Sequence, residues 1–159
     1  MFSKPTLYLE TTIPSYLLAD ASRDIVAVAR QDITRRWWHR DKNRFDMVVS
    51  EVVLKEAAKG DQGAAQKRLA FLEQFHILEA TSDIPKITGL YLKGKIVPFG
   101  SVEDAAHLAF ASIHEIAFVC TWNFKHLANA FALKRLRTLN EQLGLYTPSV
   151  CTPEELLGE

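Results

Sequence analysis

The sequence predicts an α/β fold, a three-layer α/β/α sandwich around a central, mostly parallel sheet of about five strands. Short β-rich runs recur at Thr6–Leu9, Asp46–Val49, Phe75–Leu78, Ala117–Cys120 and Ser149–Cys151. The intervals between them are helical in pattern and long enough to serve as crossovers, which parallel strands require. Such alternation gives a sheet covered by helices. The length of 159 residues and a 48% hydrophobic content support an ordinary core without disulfides or structural metal, and fit one domain spanning 1–159.

Taken in order, the first strand ends at Glu10, and Thr11-Thr12-Ile13-Pro14 opens a turn and then a helix. Val26, Ala29, Ile33 and Trp37 recur at helical spacing within Ser22–Arg40, with Arg30, Arg36 and Arg40 mostly on other faces, which predicts an amphipathic helix. After the second strand Ser50 is a plausible N-cap for a helix carrying Glu51 and Glu56. Gly94, Pro98 and Gly100 make Lys93–Ser101 a turn rather than a domain boundary. Val102–Ile113 has almost no polar face, so this helix is expected inside the molecule. Ser101 and Asp104 form a capping-box pattern at its start. Thr152, Pro153 and Glu155 supply a cap, a first-position proline and a capping-box acid for a short final helix. Cys120 and Cys151 lie in short apolar runs and read as buried, reduced thiols.

Nineteen Lys and Arg against nineteen Asp and Glu leave no global field to collect nucleic acid or anionic membrane, so any polyanion site has to be local. Local cations are Lys125 and His126, then Lys134, Arg135 and Arg137. Trp37 and Trp38, near Arg35, Arg36 and Arg40, read as core or dimer contacts before base-stacking or partner-docking groups. The N-terminal region has no long apolar stretch, and a cytoplasmic protein without a membrane span is expected.

Chemistry concentrates in the acids. Glu10 stands at the C-terminal end of the first strand, the edge where open α/β sheets bind ligands. A solvated carboxylate beside a helix N-terminus would explain it equally well. Glu51 needs no function, being a first-turn acid after Ser50. Glu56 shares a helix face with Val52 and Val53, where a carboxylate requires a partner or a metal. Asp104 opens the buried helix, and His107 follows one turn later as a core histidine, with no paired Cys/His spacing to indicate zinc. Asn123 follows the fourth strand, either as a turn residue or as a carbonyl donor to a metal.

Three segments, Leu7-Tyr8-Leu9-Glu10-Thr11-Thr12-Ile13-Pro14-Ser15, Asp104-Ala105-Ala106-His107-Leu108-Ala109 and Thr121-Trp122-Asn123-Phe124-Lys125-His126-Leu127, together resemble PIN-domain proteins, above all the VapC-like toxins of toxin–antitoxin systems. Val53-Leu54-Lys55-Glu56-Ala57 resembles the family's second acidic motif, and Cys151-Thr152-Pro153-Glu154-Glu155-Leu156 the tail of one subgroup. Order and spacing over nearly the whole chain carry the likeness. It implies a metal-dependent ribonuclease in which Glu10, Glu56, Asp104 and Asn123 hold Mg²⁺ or Mn²⁺ and act on single-stranded RNA, with an antitoxin protein and a homodimer as expected partners. Glu10 stands where the family commonly has Asp, and Asn123 where it frequently has Asp. The first change moves a carboxylate out by one methylene; the second removes a charge and disfavours a second ion. Thr11 would support the ligands with its hydroxyl. A PIN-like module that binds RNA or an antitoxin without catalysis is the alternative. The strand-end Asp pair of haloacid dehalogenase-type phosphohydrolases is missing, as are the glycine-rich loops of nucleotide folds and the G-x-S-x-G of serine hydrolases.

Overall fold

The structure is a computed structural model describing residues 1–157. Five strands, β1 (Thr6–Leu9), β2 (Asp46–Val49), β3 (His76–Ile77), β4 (Phe118–Cys120) and β5 (Ser149–Cys151), form one sheet in the order β3-β2-β1-β4-β5. Every pairing is parallel. Leu7, Tyr8 and Leu9 in the central strand are all fully buried. Successive strand residues face opposite sides of a sheet, so helices cover both faces and the expected three-layer α/β architecture is present.

The connecting helices are α1 (Thr12–Leu18), α2 (Ile25–Asp41), α3 (Glu51–Ala57), α4 (Gln62–Leu72), α5 (Asp83–Lys93), α6 (Val102–Ile113), α7 (Ala130–Leu143) and α8 (Pro153–Leu156), with a 3₁₀ turn at Lys42–Arg44. In α6 every residue from Ala105 to Ser112 is buried, as its apolar composition predicts. The capping box of α8 forms as read, with Thr152 accepting from Glu155 N and Glu155 accepting from Thr152 N. Cys120 and Cys151 are free and buried, and burial pushes the Cys151 thiol up to about 12.

Three expectations need correction. β3 pairs only at His76 and Ile77, both exposed at the sheet edge, while Phe75 turns back to Leu72 O and Leu78 continues with one bond to Val49 O. α2 begins at Ile25, where the Asp24 carboxylate caps Ala27 N, and its buried stripe is Gln31, Thr34, Trp37 and Asp41. Val26 and Ala29 face solvent instead. The polar stripe is tolerated because Gln31 Nε2 donates to Asp20 O and Thr34 Oγ1 accepts from Trp122 Nε1. Ser101 makes no cap bond; its hydroxyl lies 3.2 Å from His126 Nδ1. Trp37 is a buried core residue, and Trp38 packs half-buried against that core, ringed by Phe71 and Phe75.

Candidate metal centre

The strand order reverses at β1: the chain runs outward through β2 and β3, then returns to place β4 on β1's other side. Loops leaving β1 and β4 at their C-terminal ends must therefore diverge, opening a crevice at that edge. Glu10 lies in it, 3% exposed. Its Oε2 accepts from Thr12 N at 3.1 Å, from the Thr12 hydroxyl and from Thr121 Oγ1 at 2.7 Å, the last bond spanning β1 and β4. Burial pushes the Glu10 carboxyl above its ordinary range, against the opposing pull of His107 and these hydrogen bonds.

α3 carries Glu56 to the same place. Ser50 caps the helix through Val52 N, Val53 packs into the core, and Glu56 one turn on emerges half-buried beside β1. Its Oε1 accepts from Thr11 Oγ1 at 2.8 Å and from His107 Nε2. Burial raises the Glu56 carboxyl, but the hydrogen bond and charge of His107 outweigh it and hold the group below its usual range. An ionised carboxylate only accepts, so Nε2 carries a hydrogen. Burial acts to lower the fully buried His107 imidazole; its bond to Glu56 and the charges of Glu10, Glu56 and Asp104 prevail and raise it. His107 Nδ1 meets Tyr8 Oη at 2.6 Å, and Tyr8 Oη meets Ser50 Oγ at 2.7 Å. Burial pushes the Tyr8 hydroxyl well up, so this chain stays protonated. Glu51, exposed and paired with Lys55, lies outside the network.

Glu10, Glu56 and His107 bring ligand-type atoms within 4.8 Å of one another. Among the described residues, no hydrogen bond reaches Glu10 Oε1 or Glu56 Oε2. Each carboxylate is thus oriented by one oxygen and leaves the other unspent. The two carboxylates fit a hard divalent cation, while His107, both of whose nitrogens are engaged, supports Glu56.

Asp104 and Asn123 form a second, adjoining group. Asp104, in the first turn of α6, accepts from Asn123 Nδ2 at 3.2 Å and from His126 Nδ1 at 2.7 Å, one bond on each oxygen. Asn123 Oδ1 accepts from His126 N at 3.0 Å, closing the turn after β4. The four sequence-predicted residues therefore lie at one sheet edge as two pairs, Glu10 with Glu56 and Asp104 with Asn123, joined through α6, where Asp104 and His107 are three residues apart on one face. Sequence reading missed Thr12 and Thr121 as the groups that orient Glu10, and Tyr8 as the partner of His107. The two threonines' nearness to Glu10 and Asn123 in sequence was the available signal.

No protein-family model matches the chain, and no curated protein matches it. Among solved structures, it is similar to a chain in the crystal structure of VapBC2 from Rickettsia felis bound to a DNA fragment from their promoter. The TM-score is 0.58 at 15% identity, over 92% of this chain and 98% of that one. The fold is PIN-like. At this identity the likeness reaches the fold alone, and the resemblance drawn from the sequence motifs is borne out at that level. No helix among the described residues is long and apolar enough to cross a membrane.

Proposed function

We propose that the protein is a metal-dependent endoribonuclease that hydrolyses phosphodiesters of single-stranded RNA in the cytoplasm, as the toxin of a toxin–antitoxin pair. The observation that carries this reading is the gathering of Glu10, Glu56 and His107, with ligand-type atoms within 4.8 Å of one another, at the point where the strand order reverses. The motif order, and the likeness in fold to a structure of VapBC2, add the toxin and its protein partner.

Glu10 and Glu56 would hold one Mg²⁺ or Mn²⁺, with Asp104 completing the set directly or through water. When bound, the ion supplies an activated water and a counter-charge for in-line attack on phosphorus. The protein's part is positioning. Thr12 and Thr121 aim Glu10, Thr11 aims Glu56, and Asn123 and His126 aim Asp104. His107 holds its Nε2 proton against Glu56, offsetting one negative charge in a buried site. Asn123 adds no charge, consistent with one ion rather than two.

The exposed Ile25, Val26 and Val28 at the start of α2 form an apolar surface available to an antitoxin-type protein, and a homodimer belongs to the same reading, to be checked by light scattering. Calorimetric titration with Mn²⁺ and cleavage of a labelled single-stranded RNA test the mechanism: binding and cleavage are expected, both lost in Asp104→Asn. Unchanged cleavage by that variant, or in excess EDTA, would overturn it. One observation favours the second reading, an inert RNA- or antitoxin-binding module: both Asp104 oxygens and Asn123 Oδ1 are already hydrogen-bonded. Absence of Mn²⁺ binding up to millimolar metal would select that module.

A further inference from the structure

Beside the acid cluster lies a cavity of about 480 Å³ whose lining includes Lys93, Lys95, Lys125, Arg135, Val97 and Phe99. Its volume is in the range of small-molecule sites, roughly 300–1,000 Å³. Among the described residues no carboxylate lines it, in a chain whose charges otherwise balance. None of the four cations has an acidic partner among the described residues. The wall is built rather than loose: Arg135 Nε donates to Lys95 O at 2.8 Å, Lys95 adopts a left-handed φ of 54°, and Val97 is packed into the α5–α6–α7 core. Phe99, by contrast, is 83% exposed, a large ring left in water next to unpaired cations. His126 also lines the cavity while its Nδ1 holds Asp104, so the cavity and the acid cluster share a wall.

We infer that this cavity is a nucleotide subsite, which holds the residue of a single-stranded RNA next to the phosphodiester at the acids. The base stacks on Phe99, and Lys93, Lys125 and Arg135 hold the flanking phosphate. Aromatic stacking with a cationic backbone grip is the common solution for single-stranded nucleic acid. An acidic peptide would satisfy the cations but leave Phe99 without a role. The inference rests on the RNA substrate proposed above, and it places the local cation field that the neutral net charge requires.

The test is fluorescence anisotropy of a short fluorescein-labelled single-stranded RNA with the full chain in EDTA, where cleavage cannot occur. Phe99→Ala, a change at an exposed side chain, is expected to weaken binding about five- to hundred-fold. An abasic oligomer should bind the unaltered protein as weakly as normal RNA binds Phe99→Ala. The Lys93→Gln/Lys125→Gln double variant should lower the slope of log affinity against log salt by about 0.7 for each cation removed. Equal affinity of Phe99→Ala and the unaltered protein, or one-for-one competition by an acidic peptide of equal charge, would overturn the subsite. The two proposals fail separately. Phe99-dependent binding without Mn²⁺-dependent cleavage removes the nuclease and keeps the subsite; cleavage with unchanged KM in both variants does the reverse.

Discussion

The two halves of the acid site are built differently. Glu56 and His107 belong to a hydrogen-bonded chain that runs through the buried Tyr8 to Ser50, spanning β1, α3 and α6, and Glu10 lies buried beside it, held by Thr12 and Thr121. Asp104, Asn123 and His126 are half-buried, as Glu56 is, but they are organised by one loop and one helix start rather than by bonds reaching into the core. Glu10 and His107 of the inner half are part of the core, so there chemistry and stability cannot be separated. The outer half can be altered with little effect on the fold. A buried charge network is costly when one partner is lost, whereas a rim group mostly loses its own contact.

That contrast orders the predictions. Asp104→Asn should give the cleanest loss of function: Mn²⁺ affinity falls by more than about 100-fold, RNA cleavage disappears, and the urea midpoint barely moves. A comparable loss of stability would erase the distinction between the halves. His107→Ala should destabilise by about 2–4 kcal/mol in urea unfolding, since it opens a cavity and takes one hydrogen bond each from Tyr8 Oη and Glu56, leaving them only Ser50 and Thr11. Asn123→Ala removes the donor to Asp104 and the closure of its own turn; about 10–100-fold in metal affinity, with a stability cost near 1 kcal/mol, is expected by calorimetry and urea titration.

A smaller effect is a pH dependence confined to the inner half. His107 is raised above 6.5 in the folded chain, so the native state retains a proton there that the unfolded chain releases. The resulting stability is complete below 6.5 and is lost as pH rises through the folded value. Urea midpoints of metal-free protein should decline over that window, and His107→Gln should flatten the decline. Smallest of all, Glu51→Ala should change stability by no more than about 0.5 kcal/mol and leave cleavage intact, because this acid is exposed and makes a surface pair with Lys55.

How much was legible follows the range of the interactions. Leu7–Leu9 with Glu10 behind it, the α6 stretch with almost no polar face, and the Thr152–Glu155 cap are local patterns, and each formed as read. The stripe of α2 was misread because Val26 and Ala29 fit a hydrophobic period, while Gln31 and Thr34 are buried through bonds to Asp20 and Trp122, partners that periodicity does not reveal. The gathering of acids at one edge was visible; their division into two groups was not. It depends on Thr121 reaching Glu10 and His107 reaching Glu56, contacts made across 111 and 51 positions.

Those separations also set an order of events during synthesis. Glu10 and Glu56 leave the ribosome early, but the groups that orient them, His107 and Thr121, come much later, and Trp122, whose backbone N–H holds Thr12 Oγ1 at 2.9 Å, follows immediately. A nascent chain therefore carries its acids unarranged until the fourth strand emerges. The arrangement of the edge is set by the emergence of β4 and the loop after it, not by the earlier strand and helix that carry the acids.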